Sequence, residues 1–247
     1  MKTQAIILAA GKGTRMEDLS RPKVMFEVLG KPLLEYSLHN VQSAGVKDII
    51  LVVGYKKEKV EEYFGARVEY AFQQEQLGTG HAVKCGLEKI SSDTDAVLVC
   101  YGDMPLYRPE SICRLMRDYE LYKPVIAMFS VFFEQPDYWA YGRIIRDESD
   151  KVTAIVEQKD CTVEQRNIRE CNPGFYIFDA QWLRKNISRL KDTNAQKEYY
   201  LTDLVGMAVK QQQKVIALPV SEEAEALGIN TKQQLKEAEE VLKKRKS

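Results

Sequence analysis

The chain has 247 residues, with Lys+Arg and Asp+Glu both at 36, so its formal charge is zero. That balance excludes a broad basic surface for nucleic acid or an anionic membrane. The length suffices to bury the core of a sizeable α/β domain, and no apolar run approaches the roughly 20 residues that a membrane helix needs.

Five cysteines, Cys85, Cys100, Cys113, Cys161 and Cys171, are scattered without a CxxC pair or a Cys/His ligand spacing, and no signal peptide precedes the first strand. Inert buried thiols in a reduced, cytoplasmic protein are expected.

In chain order, AIILAA (5–10) reads as a buried strand, because its apolar run is too short for a typical helix and stops at Gly11. The following GKGTRM places Gly11 and Gly13 where backbone N–H groups can approach an anion. GxxxxGK[ST] is absent, and no third glycine completes GxGxxG, so neither a Walker loop nor a dinucleotide fingerprint is present. Instead the loop carries Arg15, and Lys23 follows in RPK. Two cations at one glycine turn suit a polyphosphate, with a plain strand-to-helix turn as the alternative.

Leu34, Leu38 and Val41 recur at helical spacing within 32–44, and DIILVVG (48–54) is a second buried strand. A charged helix over 56–64 and a strand at 68–72 follow. In QQEQLGTGHAV (73–83) a Gly-Thr-Gly turn opens a helix over 79–90, and its amides suit reading a base or a sugar. His81 fits a helix-start hydrogen-bonding role better than acid–base work, and His39 has no evident partner.

The fourth strand, AVLVCYGD (96–103), ends on Asp103. A carboxylate at a strand end beside a phosphate loop suits Mg²⁺; an Asp opening a Pro-containing turn is the alternative. From 124 to 178 the pattern becomes strands without intervening helices, an antiparallel addition to the sheet. Helices over 180–190 and 200–212, a strand KVIALPV and a final Glu/Lys-rich helix from 231 complete the chain, with KKRKS expected solvated or frayed. The alternation predicts a Rossmann-like, doubly wound, mostly parallel sheet with an antiparallel addition. Gly142, Glu157, Asn172 and the segment EYYLTD (198–203) offer polar groups of the kind a sugar pocket needs, each equally open to a structural role.

The ordered set LAAGKGTRM, RPK, QLGTGHAV, YGDMPL, YGRI, VEQKD, NPG, EYYLTD and GIN resembles that of the sugar-1-phosphate nucleotidylyltransferases. Within them it is most similar to the uridylyltransferase domains of bacterial N-acetylglucosamine-1-phosphate uridyltransferases. The likeness spans residues 5 to about 240. It implies a nucleotide-diphospho-sugar transferase fold, with residues 1–230 as the nucleotidylyltransferase domain, about 124–178 as its sugar-binding part, and 231–247 as a C-terminal helix.

Residue by residue, the resemblance implies that Leu8, Ala9, Ala10 and Gly11 line the uracil and ribose, that Gln73 and Gly78 read the base, and that Thr79 lies close by. Arg15 and Lys23 would meet the phosphates, and Tyr101, Gly102 and Asp103 would reach both nucleotide and metal. Asp103 and Asn230 would hold Mg²⁺, while Gly142, Glu157, Asn172, Tyr200 and Thr202 would hold the N-acetylated sugar. The implied substrates are UTP and N-acetylglucosamine 1-phosphate, with no nucleic acid or membrane partner and the oligomeric state open.

Two departures stand out. Asn172 is followed by Pro173 where relatives carry a small hydroxyl residue, which bears on how the acetamido group is held. The bifunctional relatives continue into a hexapeptide-repeat β-helix with acetyltransferase activity, whereas this sequence stops after one helix, as a stand-alone protein or a truncated one. The same chemistry on another pair (UTP or dTTP with glucose 1-phosphate, or CTP with a different acceptor) and a non-catalytic nucleotide-sugar-binding subunit are the alternatives. A Rossmann oxidoreductase is disfavoured, because Gly54 and Tyr55 stand where an acidic residue should follow the second strand.

Overall fold

The computed structural model describes residues 1–246. Its strands are β1 (Thr3–Ala9), β2 (Glu27–Val28), β3 (Lys31–Pro32), β4 (Ile49–Val53), β5 (Glu69–Phe72), β6 (Ala96–Tyr101), β7 (Ile126–Phe132), β8 (Gly142–Arg146), β9 (Val152–Val156), β10 (Glu170–Asn172), β11 (Tyr176–Asp179) and β12 (Val215–Pro219). The helices are α1 (Leu33–Ser43), α2 (Lys57–Phe64), α3 (Thr79–Leu87), α4 (Pro109–Tyr122), α5 (Pro136–Trp139), α6 (Val163–Arg166), α7 (Ala180–Asn186), α8 (Asp203–Lys210) and α9 (Lys232–Lys246).

One large sheet runs in the order β5-β4-β1-β6-β11-β7-β10-β8-β9, with β12 beside β7, while β2 and β3 form a small hairpin. β5, β4, β1 and β6 are mutually parallel, and β11 lies antiparallel to both β6 and β7. Successive residues of these central strands point to opposite faces, and both faces are apolar, as expected of parallel strands covered on two sides. Ile6, Ile50, Val97, Val99 and Phe178 pack beneath α3, α7 and α8, while Ile7, Leu51, Leu98, Phe129 and Ile177 pack beneath α1, α2 and α4.

The strand-rich region is woven into the sheet more deeply than an appended antiparallel block would be. β10 and β11 form one strand with a bulge: Cys171 pairs with Val131 and Tyr176 with Met128, so five steps on one side oppose three on the other. Both halves lie along the same edge of β7, joined by Phe129 N–H to Phe175 O at 3.0 Å and Phe133 N–H to Arg169 O at 3.1 Å. On the far side β11 meets β6, whereas β10 meets β8. Asn172–Pro173–Gly174 is therefore the seam between the central parallel strands and the β8–β9 wing.

Several sequence expectations change. The 124–178 region is interrupted by α5 and by α6, whose Thr162/Gln165 capping box closes a single turn. α4 has no counterpart in the sequence reading, although Pro109 at its first turn and Ile112, Leu115 and Tyr119 on one face are helix signals. Among the cysteines Cys100 and Cys171 are buried, Cys85 and Cys161 are half-buried and Cys113 is exposed; all five are unpaired.

The C-terminal basic run is helical rather than frayed, with Lys243 and Lys244 exposed to solvent as expected, but Arg245 turns inward and donates to Leu106 O at 2.6 Å, while Ser247 lies outside the described residues. α9 buries Ala238 and Leu242 against Val28, Leu33, Leu106 and Ile229. No described helix is long and apolar enough to cross a membrane.

Candidate active site

The carboxyl ends of β1 and β6 open onto a cleft of about 390 Å³. Open parallel sheets place ligands at this end, because the strand-to-helix loops there diverge and expose backbone groups. Leu8, Ala9, Ala10, Gly11, Arg15, Lys23, Gln73, Gly78, Thr79, Tyr101, Asp103 and Asn230 all line this cleft.

At its charged end, Lys23 Nζ bonds Asp103 Oδ2 and also donates to Asn230 Oδ1 at 2.7 Å. Arg15 donates to the same Asn230 oxygen at 2.8 Å. Gly13 makes this possible, since it adopts φ +67° and a Cβ on it would overlap Lys23. Asn230 is set by two contacts: its N–H donates to Gln234 Oε1 at 2.8 Å, and the preceding Ile229 N–H donates to Asp103 O at 3.0 Å.

The oxygens of Asp103 and Asn230 thus converge on one cationic point. Hard oxygen donors so placed fit Mg²⁺, with substrate oxygens and water filling the other positions. The described residues contain no group of three or more His, Cys, Asp or Glu able to hold a metal by themselves.

At the other end, buried Gln73 donates from Nε2 to Gly78 O at 3.0 Å and faces His81 Nδ1 at 3.2 Å. His81 therefore has the local hydrogen-bonding position expected of it, and His39 gains a partner in Ser43, 3.5 Å away. The EYYLTD segment clamps the turn from behind: Gly80 N–H donates to Tyr199 O at 2.7 Å, and Leu201 N–H to Thr79 Oγ1 at 3.0 Å.

Glu157, Gly142, Asn172, Tyr200 and Thr202 lie off the cleft wall, and the first two each meet one of the others while Tyr200 bonds elsewhere. Thr202 donates to Glu157 Oε1 at 2.9 Å, and Asn172 pairs with Gly142 across β10 and β8. Asn172 spends its amide on Tyr176 OH and its oxygen on Gly174 N–H at 3.2 Å. Tyr200 turns its hydroxyl to Asp160 and Gln196, at 3.1 and 2.8 Å.

Burial raises the carboxyl pKa of Glu157, with Asp203, Asp160 and Glu198 adding repulsion and the Thr202 bond opposing it. Burial likewise raises the Tyr101 phenol, helped by Glu157 and Asp103 on either side, so that it stays a neutral donor. Gly102 lies behind the cleft, its N–H bonded to Leu8 O at 2.9 Å and its α-carbon facing Leu34.

Sequence reasoning passed over Gln76, Trp139, Ala140, Tyr141, Glu198 and Gly228, which also line the cleft. Gln76, Tyr141, Glu198 and Gly228 lie inside motifs already singled out. Trp139 ends α5 and Ala140 opens the loop after it, a stretch with no pattern in the sequence. That loop is held by fully buried Arg143, which bonds Asp137 Oδ1 at 2.5 Å, Tyr141 O, and Arg166 O at 3.3 Å.

Residues 5–169 match the MobA-like NTP transferase domain. The chain is 42% identical over 99% of its length to the bifunctional protein GlmU of Geotalea daltonii, covering 53% of that protein. It is 43% identical to the bifunctional protein GlmU of Clostridium botulinum over 98% of its length, covering 52% of the relative. The chain therefore spans about half the length of these curated relatives. A solved structure of UDP-glucose pyrophosphorylase complexed with UDP-glucose superposes with a TM-score of 0.83 at 20% identity, covering 99% of this chain and all of the other, which shows a common fold. By the domain match over most of its length and by a cleft built where that fold binds its ligands, the chain belongs to the MobA-like NTP transferase family and is a nucleotidyltransferase.

Proposed function

We propose that the chain transfers UMP from UTP to N-acetylglucosamine 1-phosphate, giving UDP-N-acetylglucosamine and pyrophosphate. The observation that carries this reading is the polarity of one cleft: a turn of amides at one end and Lys23, Arg15, Asp103 and Asn230 gathered at the other. A nucleoside triphosphate has the same division between base and polyphosphate.

In this reading a phosphate oxygen of the sugar phosphate attacks the α-phosphorus in line, and pyrophosphate leaves with the electron pair of the cleaved P–O bond. The attacking oxygen is already ionised, so no general base is needed. Positioning and charge neutralisation do the work. Lys23 turns from Asp103 to the α-phosphate, and Arg15 neutralises the leaving pyrophosphate. Asp103 and Asn230 hold Mg²⁺, which when bound supplies Lewis-acid neutralisation of the phosphate oxygens. Glu157 accepts from sugar hydroxyls, with Gly142, Asn172, Tyr200 and Thr202 around it. Five unpaired cysteines agree with a cytoplasmic setting.

A matrix of UTP, dTTP and CTP against N-acetylglucosamine 1-phosphate and glucose 1-phosphate, read by pyrophosphate release, tests the assignment. The UTP/N-acetylglucosamine 1-phosphate pair is expected to give the highest kcat/KM. Preference for another pair overturns the substrate assignment, and binding without pyrophosphate release from any pair identifies a non-catalytic subunit.

A further inference from the structure

Tyr141 connects the two sides of the cleft. Its backbone immediately precedes β8, which starts at Gly142, and its carbonyl is held by buried Arg143. Its hydroxyl leaves that wing and reaches the loop that carries Asn230. There it donates to Ala226 O at 2.9 Å and accepts from Gly228 N–H at 2.6 Å, with Met104 Sδ 3.6 Å away. A Cβ on Gly228 would stand 2.5 Å from that hydroxyl, so glycine is what lets the phenol approach. Burial raises the phenol pKa, with the Asp103 charge adding to it, so the hydroxyl stays protonated and serves as donor and acceptor at once.

We propose that Tyr141 is a positioning residue: it fixes the 226–230 loop against the sugar-side wing and so sets the Asn230 oxygen opposite Asp103. The claim rests on the metal assignment of the proposed function. Its physical basis is the number of restraints. The loop is tied to the β6 end by the bond from Ile229 N–H to Asp103 O and to α9 by Gln234, and among the described residues the two bonds of the Tyr141 hydroxyl are the side-chain bonds that reach it from the wing. Without the hydroxyl, Ala226 O and Gly228 N–H lose their partner, and the loop loses its register with the wing. Groups that orient a ligating side chain typically change metal affinity by about 10- to 100-fold when removed.

The test uses Tyr141→Phe, Gly228→Ala and the double variant, each checked for folding by thermal unfolding. Two readouts are taken: Mn²⁺ binding to the protein–UTP complex, measured by electron paramagnetic resonance without turnover, and KM for the sugar phosphate with kcat. Tyr141→Phe is expected to weaken Mn²⁺ binding by about 10-fold while leaving metal-free UTP binding unchanged. Gly228→Ala is expected to be as harmful alone, and its added effect to shrink in the double variant, since the clash with the hydroxyl is gone.

A folded Tyr141→Phe with wild-type Mn²⁺ affinity overturns the proposal, as does strict additivity of the two substitutions. If the wild type binds Mn²⁺ and the variant binds it more weakly, yet no sugar phosphate is a substrate, the proposal stands and the functional reading falls. A wild type that binds no Mn²⁺ overturns both.

Discussion

Asp103 and Asn230, far apart in sequence, present their oxygens to the same Lys23 ammonium, so Lys23 and Asp103 neutralise each other before any substrate arrives and Arg15 leaves that end of the cleft net positive. The pair is half-buried, with side-chain exposures of 16% for Lys23 and 14% for Asp103, which limits its net contribution to stability. Asp103→Ala is therefore expected to fold normally and to lose turnover by on the order of 10³-fold, the size of several kcal/mol of lost charge stabilisation. Steady-state pyrophosphate release with added Mg²⁺, alongside thermal unfolding, checks both halves. Near-normal rates would remove Asp103 from the metal site.

Glu157 predicts a pH signature. Its folded pKa is raised by burial, so the folded state binds the proton more tightly than the unfolded chain does. The ionisation penalty is absent below the ordinary carboxylate value and is fully present above the folded pKa, so stability falls as pH rises through that window. Glu157→Gln is expected to match the wild type in urea unfolding near pH 4 and to exceed it increasingly toward neutrality. A constant difference across this range would contradict the burial argument.

The same residue separates the two substrates. Glu157→Ala is expected to raise KM for the sugar phosphate by about 10-fold or more while changing KM for UTP little. Equal changes in both would count against a sugar role.

Arg143 is fully buried, and its guanidinium bonds backbone carbonyls on two segments. Arg143→Met keeps volume but strands those acceptors, at about 1–3 kcal/mol. Denaturant unfolding should register that loss, and proteolysis within 137–141 should quicken. An unchanged cleavage rate would mean that the loop is held by other contacts.

Much of the fold is legible in the sequence because parallel strands buried on both faces read as continuous apolar runs, as in IILVV and AVLVCY. α4 escapes because Arg, Asp and Glu crowd its apolar stripe. In the site, the motifs at strand ends are visible because each is local: Leu8–Gly11 closes β1 and runs past its end, and Asp103 follows β6.

What stays hidden is long-range pairing. The Tyr141 hydroxyl and Gly228 N–H meet across 87 residues, and no spacing announces it. Arg143 is hidden for another reason: arginine is ordinarily an exposed residue, so nothing in its neighbourhood marks it as core. Gly102 shows the converse, since its motif suggests a ligand contact while its N–H is spent on the sheet.

Gly174 sits in the seam with φ +84°, and a Cβ on it would overlap the Tyr101 ring. Gly174→Ala should therefore cost at least about 2 kcal/mol, from the left-handed backbone and the overpacking together. Chemical denaturation measures it directly, and a loss below 0.5 kcal/mol, the range of an ordinary surface change, would show that the seam yields.

That seam also rests against the cleft. One bulged strand pairs with β8 through β10 and with β6 through β11, and its turning point rests on the Tyr101 ring that lines the cleft. The placement of the β8–β9 wing relative to the cleft is thus set where a single glycine meets one aromatic ring.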